Sequence, residues 1–394
     1  MPLSASELSM WMGVHEVRPA KMDDRDINER YVRGEGRIVI ETNREKLPGF
    51  VNQLKTENYM DLRPFYQRRP RWNEKQQSLL IESFIMNIPV PPVFLYEKDF
   101  NSYEVMDGQQ RITAIRDFYA NQYKLSGLQM WPELNGRSYS ALPEKIKAGI
   151  DRRSITSIVL MKESTESEED ASFLRETVFD RLNTGGVKLE RQEIRNALYR
   201  GKFNDLLFEM ARSDEFREVW GLPRWVESEI ETNPSLLDSA LFSKMGDLEI
   251  VLRFFALRHA EHYTGGMQGF MDIYMRRSVG FSEADISFLR DLYMGALRLA
   301  RHIYGSLVFR PYDAGAQRWD SKPHKAFQDA VMVVLSENLD RSVNLRIRQA
   351  EVIANTQKLF EAHESGTFTG RGNTKADVLE RVNLFREMIA AIPR

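Results

Sequence analysis

The stretch Val105-Met106-Asp107-Gly108-Gln109-Gln110-Arg111-Ile112-Thr113-Ala114-Ile115 decides how the first half of the chain is read. Tyr103 to Met106 predicts a short strand, Asp107-Gly108 a break, and Gln109 onward a helix start. Ile112, Ile115 and Tyr119 recur at helical spacing with Phe118 beside them, so one side of that helix can face a core. The turn then gathers Asp107, two amide side chains and Arg111 at a helix N-terminus. Free backbone N–H groups and the positive end of the helix dipole favour an anion at such a place. Arg111 in the first turn opposes that dipole, so an anionic ligand or a neighbouring carboxylate is expected to offset it. A plainer account also exists, because Asp-Gly is a common turn pair and an Asp at a helix start is usually a cap.

Upstream lies Asp61-Leu62-Arg63-Pro64-Phe65-Tyr66-Gln67-Arg68-Arg69-Pro70-Arg71-Trp72. Two prolines make it an extended loop, and Arg68, Arg69 and Arg71 fall together beside Tyr66 and Trp72. Arginine forks bind phosphate bidentately, and the aromatics can stack on bases or on guanidinium planes. The alternative is a solvated basic loop with Trp72 plugged into the core. Residues Glu74 to Asn87 predict a helix, with Leu80, Phe84 and Ile88 every four residues. Pro89, Pro91 and Pro92 end it, Val93 to Glu97 is a short apolar strand, and the chain returns through Tyr103 to Met106 as a hairpin. Residues 1–45 read as a polar arm with a short strand at Arg37 to Glu41, and Leu47 to Lys55 as a helix.

Downstream, Leu125 to Leu142 carries turn signals, Ile155 to Lys162 reads as a strand, and the acidic run Glu163 to Asp170 opens a helix. That helix stops at a second unusual stretch, where Asn183 and Gly185-Gly186 mark the end and a new helix begins near Glu190. A glycine-capped corner explains the glycines. It does not explain why Arg181, Asn183, Thr184, Arg195 and Asn196 crowd one corner, where glycine would also let backbone approach a phosphate. From residue 200 nearly every segment reads helical, including Leu236 to Leu257, Phe281 to Ile303, Lys325 to Glu337 and Ala376 to Ile392. The fold class is therefore α+β: an arm over 1–45, a mixed domain over 46–200 and an all-α domain over 201–394.

Composition narrows the function classes. A formal net charge of −2 gives no global electrostatic footprint for nucleic acid, so DNA contact must come from a local basic surface. With no cysteine, disulfides, thiolate zinc sites and a cysteine nucleophile are excluded. Apolar runs such as Ala330 to Leu335 are too short to span a bilayer, and Met1 to Glu16 lacks a signal-peptide pattern. A soluble, cytoplasmic protein without a membrane partner is the expectation. No Gly-rich loop is followed by Lys-Ser or Lys-Thr, which excludes an ordinary P-loop enzyme. His259-x-x-His262 has no carboxylate pattern beside it to complete a metal site.

In order, these pieces resemble the N-terminal-domain family of GmrSD-type modification-dependent restriction enzymes, a ParB/sulfiredoxin-like fold. The resemblance rests on Tyr66-Gln67-Arg68 with Arg71-Trp72, on Ile88 to Leu95, on Asp107-Gly108-Gln109-Gln110-Arg111, and on Arg181 to Gly186 with Gln192 to Asn196. It weakens at Gly246 to Glu249 with Leu252 to Ala256 and at Ala326 to Ala330, covering roughly residues 45 to 335. It implies nucleoside triphosphate binding and hydrolysis, and a role in restricting foreign, often modified or phage, DNA. Asp107, Gln109, Gln110 and Arg111 become the catalytic loop. Arg68, Arg71, Gly108, Arg181, Asn183, Thr184, Gly185, Gly186, Arg195 and Asn196 become nucleotide- and phosphate-binding residues.

Phosphoryl transfer asks for charge stabilisation and a positioned water, which such residues can supply. Asp107 could hold Mg²⁺ or orient the water, and Gln109 or Gln110 could position it. Restriction enzymes of this kind add a His-metal nuclease domain. No His-x-x-Pro signature occurs, so a separate nuclease or effector partner is expected, and an oligomer is compatible with the pattern. The leading expectation is an NTP-hydrolysing sensor or switch. A non-hydrolysing ParB-like DNA- or nucleotide-binding scaffold and a metal-dependent DNA nuclease are the alternatives.

Overall fold

The computed structural model describes residues 2–12, 23–25, 28–29, 39–61, 72–161, 178, 190–199, 201–227, 229, 233–363 and 366–393. The chain divides into a unit of residues 16–189 and a unit of residues 1–15 with 190–394. This differs at both ends from the expected division into an arm, a mixed domain to residue 200 and a helical domain. The first helix, α1 (Ala5–Ser9), belongs to the helical unit, and so does the helix that begins at Arg191. Buried ion pairs, described below, are the reason in each case.

Among the described residues, the unit of residues 16–189 has a five-stranded mixed sheet with four helices packed against its core face. Its strands are β1 (Ile40–Lys46), β2 (Met60–Asp61), β3 (Val93–Asp99), β4 (Ser102–Asp107) and β5 (Ser154–Leu160), in the order β1-β5-β3-β4-β2. The β3–β4 pair is the expected antiparallel hairpin, with Tyr96 opposite Glu104 and a register shift between Phe94 and Leu95. β5 runs parallel to β3, with Leu95 opposite Val159, and antiparallel to β1. The helices are α2 (Leu47–Gln53), α3 (Glu74–Met86), α4 (Gln109–Tyr119) and α5 (Glu144–Asp151).

Strand alternation places Val93, Leu95, Val105, Ile155 and Val159 in one core with Phe50, Phe84, Ile112, Ile115 and Phe118. Trp72 packs against the same core, as the plainer reading of its loop had it. β1 covers the end of the strand expected over Arg37 to Glu41 and continues to Lys46, while residues 37 and 38 lie outside the described residues. Its sequence is polar and its side chains are mostly exposed, so no alternation marks it; a charged edge strand also resists pairing with other chains.

The helix α3 begins with a reciprocal Asn73–Gln76 cap and ends at Asn87 in the left-handed region, φ 60°. Arg153 donates from Nε to the Phe84 carbonyl at 3.0 Å, satisfying one of its last acceptors. Buried Glu82 on the same helix accepts the backbone N–H groups of Gln129, Met130 and Trp131 at 3.2, 2.7 and 2.9 Å. One carboxylate thereby holds the irregular segment expected over residues 125–142.

The helical unit continues with α6 (Arg191–Leu198), α7 (Lys202–Arg212), α8 (Asp214–Trp220), α9 (Ala240–Ser243), α10 (Gly246–Leu257), α11 (Gly266–Ser278) and α12 (Glu283–Tyr304). It closes with α13 (Lys325–Glu337), α14 (Ser342–Ile347), α15 (Gln349–Ala362), α16 (Gly366–Thr369) and α17 (Lys375–Ala390). The expected single run from Leu236 to Leu257 is broken by Met245 in the left-handed region, φ 54°. Residues Ala326 to Ser336 of α13 are all buried, the mark of a helix enclosed on every side, here by α10, α12, α16 and α17. Inside this unit Arg253 forks onto Asp329, so two of the weaker motif pieces meet in a buried ion pair.

The N-terminal segment is tied down by one carboxylate. Glu7 is fully buried and accepts from Arg258 Nη1 at 2.6 Å, His259 Nε2 and Tyr274 Oη at 3.0 Å each, and Ser4 N at 2.9 Å. The Trp11 indole N–H donates to His259 Nδ1 at 3.0 Å. Because indole is only a donor, His259 Nδ1 must accept and Nε2 must carry the proton given to Glu7. Both ring nitrogens are thus used, and the His259-x-x-His262 spacing makes no metal ligand pair. Burial pushes the Glu7 carboxyl up, but the His259 hydrogen bond and the Arg258 charge outweigh it and hold it below the ordinary value of 4.5.

A carboxyl with a lowered folded value contributes stability above its unfolded value and loses it as pH falls. Glu7→Gln should therefore cost about 3 kcal/mol in urea unfolding at pH 7, since Arg258 is left buried without its counter-charge. Wild-type stability should also fall more steeply than the variant's as pH drops below 4.5. Parallel pH profiles for the two proteins would remove Glu7 as the tether.

Candidate functional site

The site is built where β4 ends and α4 begins. Asp107 is the last residue of β4, opposite Phe94 of β3, and Gly108 is the N-cap residue of α4 with φ 96°. Asp107 is therefore not the cap. No side chain caps this helix, so its first N–H groups are left to other acceptors. Glycine is required at 108 twice over. The positive φ strains any residue with a Cβ, and a Cβ there would lie 2.5 Å from Val93 Cγ1 and 2.9 Å from Arg111 Nη2.

The carboxylate expected to offset Arg111 is Asp107 itself. Arg111 Nη2 donates to Asp107 Oδ2 at 2.6 Å and to the Pro92 carbonyl at 3.2 Å. The side chain of Arg111 is 16% exposed and that of Asp107 is 41% exposed. The guanidinium is thus clamped on one edge, while its buried Nε has no hydrogen-bond partner among the described residues. The two glutamines part company. Gln109 is buried at 5% exposure, whereas Gln110 is half-buried at the surface of the loop.

The other expected site residues fall into two groups. Arg195 and Asn196 lie in α6 of the helical unit and are enclosed, at 1% and 0% exposure. Arg195 donates from Nε to Asp272 at 2.7 Å, from Nη1 to Gln192 Oε1 at 3.1 Å and from Nη2 to Gln268 Oε1 at 2.6 Å. Asn196 accepts from Gln192 Nε2 at 3.0 Å and donates to Met245 Sδ at 3.0 Å. Their polar atoms are spent inside the helical unit, which corrects the expectation that both bind phosphate. Arg68, Arg71, Arg181, Asn183, Thr184, Gly185 and Gly186 lie outside the described residues.

With this loop on the page, the comparison with known families is direct. Residues 49–200 match the family GmrSD restriction endonuclease, N-terminal domain. No curated protein and no solved structure matches the chain. The matched stretch runs from the first turn of α2 through β2–β5 to just past α6, and it contains the Asp107–Arg111 loop. The α+β expectation holds: a ParB/sulfiredoxin-like sheet domain is followed by helices.

Among the described residues no group of three His, Cys, Asp or Glu could hold a metal, and no helix is long and apolar enough to cross a membrane. The sequence reading missed the roles of Val93 and Pro92, which shape the loop from β3 and its approach. Their only signal was the proline run before the strand.

Gly108→Ala should destabilise the protein by about 1–3 kcal/mol, because it combines backbone strain with the Val93 contact. Thermal or urea unfolding reads the cost. A variant as stable as the wild type would show that the turn does not need its left-handed residue.

Proposed function

We propose that the loop Asp107-Gly108-Gln109-Gln110-Arg111 binds the phosphates of a nucleoside triphosphate and hydrolyses it, as the sensor or switch of a DNA-restriction system whose cutting is done by a separate effector. The observation that supports this reading is Arg111: 16% exposed, held through Nη2 by Asp107 and the Pro92 carbonyl, with its buried Nε lacking an acceptor among the described residues. Leaving such a donor unsatisfied costs about 1–3 kcal/mol, which a phosphate oxygen would offset. The uncapped N-terminus of α4 begins at the same place, and a helix start of this kind favours an anion.

The chemistry follows from the parts. Arg111 stabilises charge on the transferring phosphoryl group. Gln110, open at the loop surface, is better placed than buried Gln109 to orient a water. Asp107 is exposed enough to orient that water or to hold Mg²⁺ through one carboxylate, with phosphate oxygens and waters completing the shell. Mg²⁺, when bound, supplies further neutralisation of the phosphates. This reading also assigns Arg68, Arg71 and the corner from Arg181 to Gly186, all outside the described residues, to the same phosphates. Foreign or modified DNA in the cytoplasm is the target this reading assigns.

The test is phosphate release from nucleoside triphosphate, with and without DNA, by the whole chain. Asp107→Ala and Arg111→Ala should each lower release by about 10²–10³-fold. Equal release by both variants and the wild type would overturn the catalytic assignment. Tight nucleotide binding with no release would identify a scaffold, and plasmid cut in Mg²⁺ would identify a nuclease.

A further inference from the structure

A second place in the sheet domain has the makings of a binding site. Between α2 and the sheet lies a cleft of about 280 Å³. Its floor is apolar, formed by Phe50, Leu95, Ile155 and Val159. Its rim is polar, with Glu45, Gln53, Tyr59 and Tyr103. Tyr103 is at the start of β4 and Asp107 at its end, about 13 Å apart at the rise of a strand, so this is not the loop described above.

The rim offers acceptors without matching donors. The Glu45 side chain has no hydrogen-bond or ion-pair partner among the described residues, and burial raises its carboxyl above the ordinary value. Its Oε1 folds over the first turn of α2, where a Cβ on Gly49 would come within 2.8 Å. The Tyr59 hydroxyl donates to Gln53 Oε1, which leaves its own oxygen free to accept. Burial first, then the Glu45 charge, push Tyr59 up to about 12, so it keeps its proton. The Tyr59 and Tyr103 rings meet edge to face at 5.4 Å and present π-surface to the cleft.

The field is negative as well. Glu41 and Glu97 raise the Tyr103 hydroxyl after burial has done so. Alternation along β1 puts Glu41, Asn43 and Glu45 on one face. Arg44, the basic residue of the lining, lies by the same alternation on the strand's other face.

We propose that this cleft binds a small organic cation, a protonated amine carried on an apolar body. The ammonium would donate to Glu45 and to the Tyr59 oxygen beside the tyrosine rings, and the body would lie on Phe50, Leu95 and Val159. A partly desolvated carboxylate gains from a partner of opposite charge, and aromatic faces add to the attraction. A neutral ligand of the same shape would satisfy the floor and leave Glu45 as it is.

The experiment uses the full chain without nucleotide and two probes of matched shape, benzylammonium and benzyl alcohol. Saturation-transfer NMR detects contact and calorimetry gives the affinity. Benzylammonium should bind at least about tenfold more tightly than the alcohol, and Glu45→Gln should remove that advantage. Ser157→Ile, a substitution suited to a strand, should block both probes by filling the floor; circular dichroism checks that each variant is folded. Equal binding of the two probes, wild-type binding by either folded variant, or no transfer at millimolar probe would overturn the proposal.

Discussion

The junction between β4 and α4 turns on a single residue without a side chain. Gly108 takes φ 96° with Val93 packed against the space a Cβ would fill, and this lets a strand pass into a helix with no loop between them. Asp107 then sits at the strand end and Arg111 one turn into the helix, close enough for the 2.6 Å ion pair. An Asp–Arg pair four residues apart is ordinary along a helix. Here it instead crosses a strand-to-helix corner, so the carboxylate stays half open to solvent while the guanidinium is held inside. The geometry aligns the cation and leaves its Nε for something else.

The helical unit uses charge differently. Arg195 with Asp272, Arg253 with Asp329 and Arg258 with Glu7 are pairs in which the arginine is buried and the carboxylate supplies the compensation. Such pairs contribute little net energy compared with apolar packing, yet removing one partner is costly. They join distant parts of the sequence: residue 7 to residue 258, and residue 195 to residue 272. A segment whose own sequence reads as a polar arm thereby becomes part of a packed unit. A family motif that runs past residue 190 likewise contributes its last helix to the helical half.

Sequence alone determined the strand–Asp-Gly–helix passage, the hairpin before it and the helical second half. In each of these the signal was local: period-two apolar residues, proline and glycine punctuation, and apolar spacing of three and four. Gln109 and Gln110 were indistinguishable at that level, because adjacent first-turn residues differ only in which side of the helix meets the core. The extent of the edge strand β1 was not legible for a related reason. Its residues Ile40–Lys46 carry no apolar alternation, and what makes them a strand is the free edge of β5.

Tertiary structure decided what each charged residue does. Arg111, Arg195 and Arg258 are all arginines near a helix end in the sequence, and nothing local separates them. Asp107 and the Pro92 carbonyl engage only Nη2 of Arg111 and leave its buried Nε without a partner among the described residues, whereas Gln192, Gln268 and Asp272 use every nitrogen of Arg195. That distinction depends on carboxylates and amides brought from other elements, up to 251 positions away for Glu7 and Arg258. Propensity and spacing act over a few residues and fix where chain elements start and stop. Desolvation and pairing act only once those elements are packed, and they determine which arginine is available to a ligand.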